Sequence, residues 1–436
     1  MERKIRIGLV GCGVVGTGIL ELLRDNAAHI EGRLGAHIEV RHVVVSDLRK
    51  PRGAVVPREL VTTDPRRMLD DPDVDIVVEV MGGVEEAGAI VRGALERGKH
   101  VVTANKALLA EQGDELLQMA EEKKVDLYYE AAVAGGIPVI RVLREALSSD
   151  RILSVRGIIN GTSNYILSRM SDEGIDFAVA LEAAQKAGYA EADPTLDISG
   201  GDACHKLAIL TTLAFGARVH PRQIYTEGIA GLGAIDMEFA STFGYVIKPL
   251  AIARRTEGGA LDLRVHPTLV RRKSPLASIQ GALNAVLIEG EKVGPCLLSG
   301  LGAGAYPTAM SVVSDIVDVG RNLLVGAHGR VPSRSYRVQS LKDFKVQDIG
   351  EVECRYYLRF SVRDQTGVLA RIAGVLGAHE ISIEQMIQRD GSTDETLADL
   401  VMLTHHAFER DMRRALAEID ALDCVTAATR ALRIED

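Results

Sequence analysis

The 436-residue chain has no tryptophan, and aromatic side chains make up only 4% of it. Unpaired bases are held by stacking on aromatic rings, so this composition argues against a single-stranded nucleic-acid groove. Positive charge is also short: 51 Lys and Arg stand against 60 Asp and Glu, a net charge of -9. A phosphate-reading surface needs clustered Lys and Arg. No nucleic-acid partner is expected. No apolar run approaches the ~20 residues of a membrane span, so no membrane partner is expected either. The N-terminal stretch MERKIRIGLVGCG runs straight into a strand and leaves no room for a signal peptide. Cysteine is sparse and odd in number, at positions 12, 204, 296, 354 and 424, with no CxxC or CxxH spacing. Neither a disulfide framework nor a zinc site fits that pattern, and a cytoplasmic location does. The apolar share of 47% and charged share of 25% are those of a globular protein large enough for two or three domains.

The first segment, KIRIGLVGCGVVGTGILELL, reads as an apolar strand, a glycine turn and an amphipathic helix. Gly11, Gly13 and Gly16 form GxGxxG. That spacing is weak alone, but here it follows a strand and opens a helix. Gly11 allows the tight turn, Gly13 lets the backbone approach a pyrophosphate at the positive helix end, and Gly16 permits close helix–strand packing. The apolar run IEVRHVVVSD completes a βαβ unit, and DIVVEVMGG and HVVTANKALL add parallel strands of a doubly wound sheet. A nicotinamide dinucleotide is favoured over a flavin or a purely structural unit.

After Pro138 the texture changes. VRGIIN reads as a strand, and GTSNYILSRM as a helix capped by Thr162 or Ser163. IYTEGIAGL, FGYVIKPLAIARR and LDLRVHPTLV read as strands of a second sheet with their linking elements. GLGAGAYPTAMSVVSDIVDVGRNLL has a glycine cluster and then a helical period over about 306–325 that could return to cover the first domain. A basic, polar connector follows. In RYYLRFSVRD, Tyr356, Leu358, Phe360 and Val362 alternate with Arg355, Arg359 and Arg363, the pattern of a half-buried strand. The tail then reads βαββαβ, a ferredoxin-like unit. The expected domains are 1–137 for the dinucleotide (completed by the 306–325 helix), 138–305 for substrate and dimerisation, a linker 326–350, and 351–436 for the tail. The fold class is α/β.

Hydride transfer is chemistry that the cofactor supplies, and the protein adds an acid or base and orienting groups. In LDISGGDACHKLAIL, Asp202 and Lys206 are one helical turn apart on one face, acid first. Cys204 and His205 point elsewhere and read as packing. Upstream, GYAEADPTLDISGGD gathers Glu191, Asp193, Asp197 and Asp202 in a broken loop. No His or Cys is spaced with them for a transition metal, whereas carboxylates suit an ammonium group. A substrate amine held beside a proton-donating lysine is a coherent amino-acid site. The tension is the lysine's pKa, because carboxylates raise it and desolvation or a second ammonium lowers it. Lys106 and domain closure are expected to offset the acids.

GCGVVG, VVTANKALLA, EAAVAGGIPVI, INGTSNYIL, GYAEADPTLDISGGDACHKLAIL and GAGAYPTAMSVVSD occur in this order. Together they resemble the homoserine dehydrogenase family, in its free-standing bacterial form, over nearly the whole chain. DQTGVLARIAG resembles the start of an ACT domain. The resemblance implies a Rossmann-type dinucleotide domain, a second α+β domain and a C-terminal ACT domain. It also implies NAD- or NADP-dependent interconversion of L-homoserine and L-aspartate 4-semialdehyde, on the route to threonine and methionine. Carried over by motif, Lys206 is the proton donor and Lys106 sits near nicotinamide and substrate. Glu191, Asp197 and Asp202 hold the substrate and orient the lysine, with Gly161 and Thr162 beside them. Cofactor contacts fall on Gly11, Gly13, Val14, Val15, Gly16, Thr103, Lys106 and Gly304.

In EAAVAGGIPVI an extended chain points the carbonyls of Val133, Gly135 and Ile137 the same way, and Glu130 adds a carboxylate oxygen. Hard oxygen ligands suit an alkali or alkaline-earth ion. The resemblance implies a monovalent cation, Na+ or K+, and a plain glycine hinge is the competing reading. At the cofactor's 2′ position, Ser46-Asp47 is followed by Arg49, Lys50 and Arg52, which leaves NAD and NADP both open. The tail resembles domains that bind a free amino acid, with Asp364, Gly367 and Val368 in the binding loop and L-threonine as the expected effector. A purely dimerising role is the alternative. A homodimer or homotetramer is expected. The rival functions are a dehydrogenase for another amino-acid-derived carbonyl and an inactive nucleotide- and amino-acid-sensing protein.

Overall fold

A computed structural model describes residues 3–50, 56–390 and 396–435. The chain opens with β1 (Lys4–Val10), α1 (Val14–Asp25), α2 (Ala27–Leu34) and β2 (His37–Val44). Next come β3 (Val61–Thr62), α3 (Arg66–Leu69), β4 (Ile76–Glu79), α4 (Glu85–Glu96) and β5 (His100–Thr103). α5 (Lys106–Lys123), β6 (Leu127–Tyr128), α6 (Val139–Arg141) and β7 (Ile152–Ile158) follow. Strands β1 to β6 form one six-stranded sheet in the order β3-β2-β1-β4-β5-β6. Every pairing in it is parallel. The order reverses at β1, with β2 on one side and β4 on the other, and the crevice at the carboxyl ends beside such a point is where open α/β sheets bind ligands. The strands read as continuous apolar runs because helices cover both faces, and β4 and β5 are buried along their whole length.

The middle of the chain comprises α7 (Gly161–Glu173), α8 (Phe177–Lys186), α9 (Thr195–Ile198), α10 (Gly201–Phe215) and β8 (Tyr225–Thr226). It continues with α11 (Ala234–Thr242), β9 (Tyr245–Arg255), β10 (Leu261–Arg271), β11 (Leu283–Gly290), β12 (Gly294–Leu301) and α12 (Ala305–Leu324). The tail holds β13 (Glu353–Arg363), α13 (Val368–Ala378), β14 (Ile383–Asp390), β15 (Leu397–Thr404), β16 (Ala407–Phe408), α14 (Glu409–Asp420) and β17 (Arg430–Glu435). Only Tyr225–Thr226 of the expected IYTEGIAGL strand pairs. Its two glycines, Gly228 and Gly231, fall where the chain turns away. The α7 helix begins at Gly161, ahead of both expected caps, and Thr162 gives its hydroxyl to the Tyr189 carbonyl, 2.6 Å away.

Contacts divide the chain into two units, 1–161 with 202–224 and 283–344, and 162–201 with 225–282 and 345–436. In the first unit, α12 lays Ala309, Val312, Val313 and Ile316 against Ile19 and Leu20 of α1 and the strands of the parallel sheet. Each buried Val, Leu or Ile among them is worth about 1.5–3 kcal/mol relative to exposure. The antiparallel strands β7, β11 and β12 belong to the same unit.

The second unit departs from the segments read in the sequence, because the tail is not packed on itself alone. Its own sheet runs β17-β13-β15-β14, the ferredoxin-like order, but β17 also pairs in parallel with β10. That joins the β9–β10 hairpin and the tail in one sheet. The half-buried reading of β13 is corrected by the same arrangement. Tyr356, Leu358, Phe360 and Val362 enter one core, and Tyr357 on the opposite face enters a second one with Phe239, Ile247 and Leu432. Arg359 is kept on that covered face by Asp236 of α11, 2.7 Å from its Nε, and the Tyr357 hydroxyl donates to the same carboxylate. Arg355 and Arg359 therefore read as solvent-facing in sequence but are paired with Glu384 and Asp236 and covered in the fold, while Arg363 at the strand end stays exposed. Among the described residues no helix is long and apolar enough to cross a membrane.

Candidate functional site

The glycine turn after β1 fixes the cofactor end of the first unit. Gly11 has φ +94°, and a Cβ there would lie 2.8 Å from the Met81 backbone. A Cβ on Gly16 would lie 2.2 Å from the Gly11 carbonyl oxygen. Neither position admits a side chain, and the two glycines let α1 start directly against the strand ends. A Cβ on Gly13 would meet nothing within 4 Å. A cleft of about 580 Å³ opens here, lined by Gly11 and Gly13 together with Cys12, Ser46, Lys50, Thr63, Pro65 and Met81. Val14 stands 73% exposed at the first helical position, whereas Gly16 is buried within α1. The lining fits a dinucleotide: it joins the start of α1, apolar residues such as Val10, Val44 and Ile90, and the basic side chain of Lys50.

Thr103 and Lys106 bracket the next loop. The Thr103 hydroxyl is buried and donates to Glu79 Oε2 at 2.6 Å, and it accepts the Asn105 N–H at 3.0 Å. Glu79 Oε1 in turn accepts the Met81 and Gly82 N–H groups. Asn105 caps α5 through its side-chain oxygen and donates to the Gly83 carbonyl. Glu79 and Asn105, neither singled out in the sequence, thus hold both cofactor-side loops at the ends of β4 and β5. Gly304, with φ +120°, starts α12.

Three polar side chains converge on Asp202. Its Oδ2 accepts from Lys206 Nζ at 2.7 Å and from Asn160 Nδ2 at 2.9 Å. Its Oδ1 lies 2.9 Å from Lys106 Nζ, at the start of α5. Lys206 also donates to the Ile159 carbonyl at 2.7 Å. Burial alone would push the Asp202 carboxyl up, but the Lys206 and Lys106 ammoniums outweigh it and hold the carboxyl well below its usual range. The spacing of Asp202 and Lys206 is legible in the sequence. Asn160 is not; its only signal is an Asn next to the glycine that opens a helix. The lysine is buried too, so the bland reading of a surface helix pair does not apply. Cys204 is buried and donates its thiol to the Pro221 carbonyl, 3.4 Å away, as the packing reading has it. His205 is half-buried, and burial pushes its imidazole below the usual range.

Glu191, Asp197 and Thr162 belong to the second unit and Gly161 to the first. Within the second unit, the hydroxyls of Thr162 and Ser163 tie the acidic loop to the start of α7. They donate to the carbonyls of Tyr189, at 2.6 Å, and Asp197, at 2.9 Å. Glu191 is exposed and Asp197 half-buried on that loop.

The expected cation ligands are all in the first unit. Glu130 is buried, and its carboxylate accepts the N–H groups of Ile140 at 2.9 Å and Arg141 at 2.8 Å. The Gly135 carbonyl accepts from Ser311 at 2.7 Å, and the Ile137 carbonyl accepts from Val139 N–H at 2.8 Å. Val133 is fully buried. Each of these oxygens keeps a further lone pair. Burial and the neighbouring Asp315 push the Glu130 carboxyl up. Among the described residues no three His, Cys, Asp or Glu side chains are placed to hold a metal, so carbonyl oxygens would have to supply most of such a site.

In the tail, Gly367 has φ +89° and starts α13, with Val368 buried behind it. Asp364 is exposed, and its N–H donates to the Thr396 carbonyl at 2.8 Å.

Comparison with known proteins agrees with this geometry. Residues 11–130 match the family model described as "Homoserine dehydrogenase, NAD binding domain", residues 138–317 match "Homoserine dehydrogenase", and residues 356–424 match "ACT domain". The chain is 44% identical over 434 residues to the homoserine dehydrogenase of Neisseria gonorrhoeae, covering 99% of both. The crystal structure of a homoserine dehydrogenase from Thiobacillus denitrificans is similar with a TM-score of 0.94 and 46% identity, over 100% of this chain and 99% of that one. A hyperthermophilic archaeal homoserine dehydrogenase in complex with NADPH is similar at TM-score 0.62 and 26% identity, over 72% of this chain and 97% of that one. A glycine turn built for a dinucleotide, a buried carboxylate shared by two lysines and a likeness running the full length lead to one assignment: the chain belongs to the homoserine dehydrogenase family and carries a C-terminal ACT domain.

Proposed function

We propose that this enzyme interconverts L-homoserine and L-aspartate 4-semialdehyde, in threonine and methionine biosynthesis, with Lys206 moving the proton. The observation that carries the reading is the Asp202 carboxylate, which binds Lys206 and Lys106 at once. When bound, the nicotinamide supplies or accepts the hydride at the substrate carbon. In reduction, the Lys206 ammonium gives its proton to the aldehyde oxygen, and in oxidation the neutral amine takes it back from the homoserine hydroxyl. Asp202 and the Ile159 carbonyl restrain Nζ, so little ordering is left for the reaction itself. Two ammoniums around one carboxylate leave a net positive charge, which favours the developing alkoxide. Glu191 and Asp197 are assigned to the substrate amine, and Gly161 and Thr162 to backbone and hydroxyl contacts, on residue chemistry and family membership.

The cleft favours NADP. Asp47, the acid that would select the ribose diol of NAD, is engaged by the Arg49 N–H at 2.9 Å and its guanidinium at 3.2 Å. Ser46 and Lys50 line the cleft in its place, and Lys50 suits a 2′-phosphate. Arg52 lies outside the described residues. We assign Glu130, Val133, Gly135 and Ile137 to a structural Na+ or K+, because a cation would relieve the buried Glu130–Asp315 pair. We assign Asp364, Gly367 and Val368 to threonine feedback. The edge strand β12 exposes Leu297 and Leu301, which supports a homodimer or homotetramer in the cytoplasm.

One assay tests the reading: homoserine-dependent reduction of NADP and of NAD, each with and without threonine. Turnover with NADP exceeding that with NAD, and falling with threonine, is expected. No turnover with either cofactor overturns the assignment.

A further inference from the structure

The two residues between β7 and α7 meet both members of the Asp202–Lys206 pair. The Ile159 carbonyl accepts from Lys206 Nζ at 2.7 Å, and the Asn160 amide donates to Asp202 Oδ2 at 2.9 Å. Adjacent residues thus offer an acceptor to the cation and a donor to the anion. Asn160, Asp202 and Lys206 are all buried. The connection is itself held in place. Ile158, the residue before it, pairs with Ala285 of β11, and its carbonyl accepts from the buried Asn284 at 2.8 Å. Asn284 fits there because residue 302 is glycine: a Cβ on Gly302 would lie 1.2 Å from Asn284 Oδ1.

Lys106 and Lys206 reach Asp202 on long, flexible stems, whereas Asn160 reaches it on a short one from a fixed strand end. The amide therefore pins Oδ2 and leaves Oδ1 turned to Lys106, 2.9 Å away. The amide also differs from both lysines in that it does not titrate. Its N–H remains a donor whether Lys206 carries its proton or has given it up. A donor of that kind favours the ionised carboxylate at the moment when the lysine's charge is lost. An aspartate of the same shape would offer Asp202 an acceptor in place of a donor.

We propose that Asn160 is a positioning residue for the proton transfer: acting through Asp202, its amide fixes the rotation of the carboxylate and holds it ionised in both protonation states of Lys206. The role rests on the function proposed above. The charged side chains acting on Asp202 are Lys206 and Lys106. His205 on α10 and Glu111 on α5 lie in the same field, and burial holds the His205 imidazole below its usual range, so it is neutral where a lysine titrates. None of these groups changes in an Asn160 variant, so a shift in pH dependence reports the lysine through Asp202.

Steady-state kinetics of homoserine oxidation across pH, for the full-length wild type, Asn160→Leu and Asn160→Ser, tests the role. Asn160→Leu keeps the branched shape and loses the donor. Its kcat is expected to fall about 10–100-fold, as for loss of a hydrogen bond to a charged group, with the KM for homoserine changed by less than about threefold. The acid limb of kcat is expected to move up by roughly 0.5 pH unit or more, because a carboxylate short of one donor holds the lysine's proton more tightly. Asn160→Ser leaves room for a water bridge to Asp202, so it should lose less in the same direction, and it reports if Asn160→Leu does not fold. In a Lys206→Ala background Asn160→Leu should cost less than about threefold, since a residue acting through the lysine then has nothing to position. Three results would overturn the proposal: kcat within about twofold of wild type in the variants, a loss of rate with an unmoved acid limb, or an equal cost with and without Lys206. An inactive wild type overturns the function proposed above and this role with it, so the two failures are distinguishable.

Discussion

Lys106, the first residue of α5, reaches Asp202 in the first turn of α10, with its ammonium 2.9 Å from Oδ1. The contact turns a helical ion pair into a three-membered charge cluster. A lone Asp202–Lys206 pair would be neutral, whereas two lysines on one carboxylate carry a net positive charge.

Replacing Lys206 removes the proposed proton donor and should lower kcat by about 10²–10⁴-fold. Lys206→Ala should change the KM for homoserine far less than kcat. Lys206→Arg keeps the charge but not the transferable proton, and should be nearly as slow. Steady-state kinetics of both variants check this, and near-normal turnover of Lys206→Ala would remove the lysine from the mechanism.

Asp202→Asn should lose both activity and stability. Breaking a buried ion pair by removing one partner costs roughly 3–5 kcal/mol, and the lower end applies because Lys106 is partly exposed. The sign with pH follows from a folded-state pKa below the unfolded one. The contribution is present above pH ~3.9 and is lost as pH falls below it. Acid unfolding of wild type and Asp202→Asn should therefore converge at low pH, with the wild type more stable at neutrality.

Lys50→Ala should raise the KM for NADP by about tenfold, equivalent to ~1.4 kcal/mol, and leave that for NAD within about twofold. Equal effects on both cofactors would remove Lys50 from the 2′ position.

Lys248 offers a test away from the site. It is buried on β9, donating to the Ile279 carbonyl at 2.5 Å and to Gln280 at 3.4 Å, and burial pushes its ammonium down to about 8. Between that value and ~10.4 the unfolded chain binds the extra proton, so this contribution to stability rises with pH across the window. Below about 8 the charged form costs the fold up to roughly 3 kcal/mol. Lys248→Met should be as stable as wild type or more so at pH 7, with the gap closing by pH 10. Asn164 still donates to the Ile279 carbonyl in that variant, so no acceptor is stranded. Chemical denaturation at several pH values provides the measurement.

Features governed by local rules were legible in the sequence. The glycine spacing set the turn at Gly11 and the close packing at Gly16, because positive φ and the missing Cβ act within a few residues. The one-turn spacing aligned Asp202 with Lys206 for the same reason. The βαββαβ order of the tail followed from periodicity. What the sequence by itself determined was therefore the class of fold, the glycine turn and the alignment of Asp202 with Lys206.

Tertiary structure decided whatever depends on partners far apart in the chain. Lys106 and Asn160 meet Asp202 only because β5, β7 and α10 are folded together, and no spacing encodes that meeting. Arg359 looked solvent-facing until Asp236 of α11 covered it, and β17 could close the tail yet also extend the sheet of β10. Periodicity reports how a side chain is oriented on its own element. Which charge it meets, and whether water is excluded there, is settled by the elements packed against it.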